Sequence, residues 1–259
     1  MQRNGGDMAA TRSEPAGPGW TRRPANLAAA VTAELVERVV RGTYPPGATL
    51  PPEPVLCETF SVSRTVIREA VKVLQEKGLV RVRQGAGTTV TPRTQWNMLD
   101  ELVLGATIAQ DETLAILDDV VVTRRLLESD MAQVAARTAD QEALDRLAAL
   151  VDRMDELVDD TRSYEEHDRL FHDVIMQASG NRIARGVIKS LESQVINAAG
   201  YQGRSDRDLC TASNKGHRRI CERIAARDPD GAAEAMFTHI TEAWLVRRGE
   251  AGDPGRLER

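Results

Sequence analysis

The sequence predicts a mainly α-helical protein in two unequal parts. Three helices and a small β-hairpin come first, followed by an all-α antiparallel bundle of about seven helices. Three observations carry this. From residue 94 to about 248 apolar residues recur at helical spacing with no alternating run. The β-rich stretch LVRVRQGAGTTVTP at 79–92 is split by Gly85-Ala86-Gly87 and reads as a hairpin. Aromatics make up 3% of the 259 residues while Ala, Leu, Val, Arg and Glu abound, which is a composition for helices.

Residues 1–25 are rich in Gly, Pro, Arg and Ser without periodicity and read as a disordered tail. A helix spans about Leu27 to Arg41, with Leu27, Val31, Leu35 and Val39 on one face and Gly42 past its end. The prolines of TYPPGATLPPEP at 43–54 stop it and open a short second helix at Pro52 or Glu53, running to about 59. Ser61 or Ser63 caps a third helix that reaches Lys77 and is ended by Gly78. Helix, helix, helix, hairpin is the order of a winged helix-turn-helix, here over 26–93. Candidate helices then cover 98–110, 113–138, 140–160, 163–178, 182–199, 207–227 and 230–247, with Gly180-Asn181 and Asp228-Pro229-Asp230 as the clearest breaks. They assign 94–248 to a second domain and 249–259 to a polar tail.

Charge is unevenly distributed. Residues 20–93 hold 11 Lys+Arg against 6 Asp+Glu, whereas residues 94–259 hold 21 against 31. A basic segment on an acidic chain is expected where that segment alone meets phosphate. Three cysteines without a CxxC pair argue against a disulfide framework or a cysteine-rich zinc site. No run approaches the ~18 apolar residues of a membrane span, and no apolar core comes after the N-terminal charges as in a signal peptide. The expectation is a cytoplasmic protein.

In SVSRTVIREAVKVLQEKGLV at 61–80, Val66, Ile67, Ala70, Val71 and Leu74 form a core stripe, and Arg64, Arg68 and Lys72 recur on another face. Such a helix fits the major groove: its arginines reach guanine edges or phosphates, and Ser63 and Thr65 can donate to phosphate. Arg81 and Arg83 add charge to the hairpin. A solvated basic face would show the same spacing. In the second domain Asp168 and His172 lie one turn apart in HDRLFHDVI, while His217 and His239 fall on two further helices. One carboxylate and three imidazoles suit zinc or another first-row divalent ion. Histidines 22 and 45 residues apart, however, carry no spacing signature of their own. No HExxH or GxSxG is present, so an enzyme is not expected.

The segment from Leu27 to Val90 resembles the GntR family of bacterial regulators. The resemblance is carried by Gly47, Leu50-Pro51, Glu53, Ser63-Arg64-Thr65, Arg68-Glu69-Ala70, Leu74, Lys77-Gly78-Leu79-Val80 and Gly87-Thr88. It implies that Arg64 and Arg68 contact bases and phosphates, and that Gly85 at the wing tip contacts the minor groove. Pro54 departs from the family, in which many members have a DNA-contacting arginine after the glutamate matching Glu53. Residues 96–247 are similar to the FCD effector domain of the FadR subfamily. The matching residues are Trp96-Asn97-Met98-Leu99-Asp100, Arg124, Leu127-Glu128, Asp168-Arg169-Leu170-Phe171-His172, Ala178-Ser179-Gly180-Asn181, His217 and His239. By that resemblance Asp168, His172, His217 and His239 bind a divalent metal, with zinc first and nickel or manganese as alternatives. Arg124 pairs with an effector carboxylate, and Arg125 competes for that role on helix phase. His167 and Gly180-Asn181 are given no ligand role. The resemblance is greatest to members controlling sugar-acid catabolism, such as galactonate regulators. The function implied is a repressor that binds pseudopalindromic operator DNA as a homodimer and is released by a small carboxylate. A regulator answering to the ion itself is the alternative.

Overall fold

The computed structural model describes residues 23–195 and 206–248. The tails expected over 1–25 and 249–259 fall almost wholly outside these residues, as does the end of the helix expected over 182–199. The N-terminal part runs α1 (Arg23–Val40), α2 (Glu53–Phe60), α3 (Arg64–Glu76), β1 (Val80–Arg83) and β2 (Gly87–Val90). After a 3-10 turn at Arg93–Gln95 come α4 (Glu101–Ala109), α5 (Ala115–Thr138), α6 (Gln141–Glu156), α7 (Thr161–Ala178), α8 (Arg182–Val195), α9 (Arg207–Ala225) and α10 (Pro229–Arg248).

α1 begins at Arg23 rather than near Leu27, because Pro24 needs no amide partner in a first turn. Its Val31, Leu35, Val36 and Val39 are buried against Val66, Ile67, Ala70 and Leu74 of α3. Pro52 precedes α2, whose first turn contains Pro54, and Ser61 in a left-handed conformation (φ 53°) ends it. Ser63 holds the N-cap position of α3, yet its side chain makes no capping bond. The expected hydroxyl cap is therefore absent, and backbone geometry alone starts the helix. β1 and β2 pair antiparallel with Val80 opposite Val90 and Arg83 opposite Gly87. A bridge from Thr49 to Thr89 ties the hairpin to the loop before α2.

Two features lock the end of α3 to the segment that leads into α4. Gly78 adopts φ +76°, and a Cβ there would collide with the carbonyl oxygen of Gln95. Lys77 Nζ meets Asp100 Oδ2 at 2.5 Å, and the Lys77 carbonyl accepts from the Asn97 amide at 3.0 Å. Asp100 also caps α4 by accepting from the Leu102 and Val103 amides, which is why α4 starts at Glu101 rather than 98. Trp96 and Val103 close the N-terminal core, whereas Leu104 and Ile108 of the same stretch belong to the bundle core.

Aspartates start the bundle helices: Asp140 accepts from Ala143, Asp160 from Ser163, Asp206 from Leu209 and Asp228 from Gly231. Gly180 (φ +70°) stops α7, and Asn181 accepts from the Ala184 amide to open α8. α5 packs along α10, which packs on α9. Phe171, Leu147, Met154, Ile220 and Met236 fill the space between with no more than traces of exposure. Truncating such a residue costs ~3–5 kcal/mol, as for Phe to Ala. At one end of the bundle Asp118 is buried beneath α10. Its Oδ1 accepts from Trp244 Nε1 at 2.8 Å and Arg248 Nε at 2.9 Å, and its Oδ2 from a second Arg248 nitrogen at 2.9 Å. Among the described residues no helix is long and apolar enough to cross a membrane.

Candidate nucleic-acid interface and metal centre

The apolar stripe of α3 turns its other side outward: Ser63, Arg64, Thr65, Arg68 and Lys72 are placed there, all five exposed. Arg68 is held by Glu53 at 2.9 Å, an ion pair that spans from α2 to α3. Pro54 beside it is exposed. Arg81 and Arg83 on β1 are exposed, and Gly85 forms the hairpin tip at φ +76° with open space around it. A groove between α3 and the hairpin is lined by Glu53, Arg68, Lys72, Gln75, Val82 and Thr88. The hairpin turns Val82 and Thr88 towards α3 and Arg81 and Arg83 to its other face. A helix with exposed cations and hydroxyls beside a basic wing is an arrangement that suits a major groove and its flanking phosphates.

The bundle brings Asp168 and His172 of α7, His217 of α9 and His239 of α10 together. One ligating atom from each lies within 4.8 Å of all the others. All three histidines are buried, and Asp168 is partly so. His217 Nε2 sits 3.1 Å from Asp168 Oδ1, yet this buried nitrogen makes no hydrogen bond. A ring nitrogen and a carboxylate oxygen this close, with two further imidazoles beside them, form a donor set that fits a shared ion. A neighbouring glycine makes the room. A Cβ on Gly216 would lie 2.5 Å from His239 Nδ1, so its absence lets α9 and α10 close around that ring.

The remaining ring nitrogens fix the tautomers. His172 Nδ1 lies 2.6 Å from Glu128 Oε2, so it donates there and turns Nε2 to the cluster. His217 Nδ1 lies 3.4 Å from both Asn214 Oδ1 and the Tyr164 hydroxyl. Asn214 is itself anchored, its amide donating to the Val151 carbonyl at 3.0 Å. Burial pushes the His217 imidazole below its ordinary range. It pushes His239 well below, with His217 and His172 adding to the effect, so both rings are neutral and ligation-competent at neutral pH. Burial opposes charge on His172 as well, but Glu128 outweighs it and raises that ring. Asp168 is depressed against its own burial by the three imidazoles, His217 foremost.

The space above the cluster is lined by Arg124, Ser213, Trp244 and Arg247 and forms a cavity of about 30 Å³. That holds an ion with one or two waters. Of the two arginines left open by helix phase, Arg124 faces this space, while Arg125 is buried beneath the Phe237 ring at 4.6 Å. His167 faces away and bonds the Ser163 carbonyl of its own helix. Sequence reasoning missed Ser213, Asn214, Gly216 and Arg247, and gave Glu128 no role. The spacing of Glu128 four residues after Arg124, and of Asn214 three before His217, was the available signal.

Comparison with known proteins gives two family matches. The model for "Bacterial regulatory proteins, gntR family" matches residues 27–90, and the FCD domain model matches 119–242. The galactonate operon transcriptional repressor of Escherichia coli (strain K12) is 29% identical over 212 residues, 81% of this chain and 91% of that protein. The HTH-type transcriptional regulator YieP of the same organism, itself uncharacterized, is 35% identical over 158 residues, 60% of this chain and 69% of that protein. The solved structure of Lar, which controls the Listeria monocytogenes agr system, superposes with a TM-score of 0.58 at 18% identity. It covers 85% of this chain and 96% of that one, a likeness of fold.

Proposed function

The chain belongs to the gntR family of bacterial regulatory proteins, in its FadR-type form with an FCD domain, and from that premise we propose a ligand-released repressor of a sugar-acid operon. It is a transcriptional regulator and not an enzyme. α3 and the hairpin read operator DNA, with Arg64 and Arg68 on base edges or phosphates, Ser63, Thr65 and Lys72 on the backbone, and Gly85 in the minor groove. Two copies bind a pseudopalindrome as a homodimer.

The observation that carries the effector reading is the convergence of Asp168, His172, His217 and His239 under Arg124. Zinc suits this donor set, and nickel or manganese are alternatives. One carboxylate and three neutral imidazoles leave a divalent ion with net charge +1, which supplies an attraction for anionic oxygen in a water-poor setting. Arg124 orients the carboxylate through a charge-assisted pair. Arg247 and Ser213 face the same space and offer donors to hydroxyls further along the ligand. An aldonate fits this pattern, and the galactonate operon repressor is a relative. A six-carbon acid exceeds the space present, so its entry spreads the α5, α7 and α10 walls and changes how the two reading helices are held.

The small size of that space favours a second reading, in which the ion itself is the signal. One experiment separates the two. Metal content is measured on purified protein, and operator binding is then titrated with zinc alone and with zinc plus galactonate and related aldonates and uronates. Release by an acid only when metal is present supports the first reading, and release by zinc alone supports the second. Equal metal content in wild type and in the His217→Ala/His239→Ala double variant overturns both.

A further inference from the structure

We infer that Glu128 is a positioning residue that couples the ion to the effector, because its one carboxylate holds both a metal ligand and the effector's anchor. The inference rests on the metal-and-carboxylate reading of the same site. Glu128 is 1% exposed on α5. Its Oε1 accepts from Arg124 Nε at 2.8 Å, and its Oε2 accepts from His172 Nδ1 at 2.6 Å. A buried carboxylate divided in this way cannot change its hold on one partner without changing its hold on the other.

The direction is set by charge. Arg124 neutralises part of Glu128 and so weakens it as an acceptor for His172. An effector carboxylate that draws on the same guanidinium returns negative charge to Glu128. The His172 Nδ1–H bond then strengthens, and Nε2 becomes a better donor to the ion. Effector binding therefore tightens the metal, and by linkage the metal tightens the effector, beyond their direct contact. The arrangement makes the ion a condition for response instead of a passive prop.

Zinc alone tests this, with no knowledge of the effector. Zinc affinity of the full chain is measured by chelator competition for wild type, Glu128→Gln, Arg124→Met and the double variant. Glu128→Gln presents an uncharged amide to His172 and is expected to weaken zinc ~10–100-fold. Arg124→Met keeps the stem but removes the charge, and is expected to tighten zinc several-fold. That gain should fall below about 2-fold in the Glu128→Gln background, a non-additivity that relief of plain ion–arginine repulsion would not produce. Melting of the metal-free variants and the visible spectrum of the cobalt(II) forms separate a changed His172 ligand field from general loosening. If Glu128→Gln does not fold, the cycle is run on Glu128→Asp, which keeps the charge but is too short for both bonds. Additive effects overturn the coupling and leave the metal centre standing. A wild-type protein that binds no zinc, nickel or manganese overturns the metal centre itself and the coupling with it.

Discussion

Arg68 on the reading helix is tied to Glu53 on the helix before it, Nε to Oε2 at 2.9 Å, although 70% of the arginine side chain faces solvent. An exposed pair of this kind adds little stability but limits where the guanidinium points.

Arg68→Ala should therefore lower specific operator affinity about 10- to 100-fold while leaving the melting temperature unchanged. Glu53→Gln should lower specific affinity less, because the guanidinium is still present but no longer aimed. Gel-shift titration beside thermal melting checks both. An Arg68→Ala protein that binds its operator normally would falsify the assignment of this face to DNA.

Gly78 and Gly85 share a φ of +76° in different surroundings. Open space surrounds Gly85, so Gly85→Ala should cost only the strain of a left-handed alanine, ~1–2 kcal/mol. Gly78→Ala adds a collision with the Gln95 backbone and should cost clearly more. Urea denaturation of the two variants gives the comparison, and equal losses would show that the linker yields freely.

Asp173 ties α7 to α8 through Arg185 at 2.8 Å. Burial alone would raise its carboxyl, but the Arg185 and Gln177 hydrogen bonds with nearby Lys189 pull it down to about 2. A depressed carboxyl contributes stability that is fully present above the unfolded value near 4 and is lost as pH falls towards 2. Asp173→Asn should thus cost up to ~1 kcal/mol at pH 6. The gap to wild type should close between pH 4 and 2. A gap that does not depend on pH over that interval would mean that packing, not charge, sets the difference.

The reading unit was legible in the sequence because local rules fix it. Proline and glycine punctuate α1 to the hairpin, and the stripe from Val66 to Leu74 admits one inward face. The starts of α1 and α4 shifted by three or four residues, since Pro24 can sit inside a first turn and Asp100 captures the α4 amides. The histidine cluster was different. Residues 168, 172, 217 and 239 meet only through the packing of α7, α9 and α10, and no spacing announces that. The contact of Gly216 with His239, and the burial of Arg125 under Phe237 instead of beside the cluster, depend on helices from distant parts of the chain. Donor chemistry and the one-turn spacing of Asp168 and His172 singled out the four residues and resemblance joined them into one site, but the shared carboxylate of Glu128 had to be seen in three dimensions.

The salt bridge at the end of the bundle has a bearing on how that half of the chain can be handled. Asp118 stands one residue before the stretch matched as an FCD domain, and Trp244 and Arg248 stand beyond its end at 242. A fragment cut at the matched limits removes the acid, the base and the indole that seals them. A fragment that keeps Asp118 but stops short of Arg248 is worse, because it strands a carboxylate among apolar side chains, a loss of ~3–5 kcal/mol. The folded bundle is thus longer than its sequence signature, and Asp118 and Arg248 fasten its two flanks like a buckle: separating it intact means cutting ahead of α4, whose Leu104 and Ile108 belong to its core, and after 248.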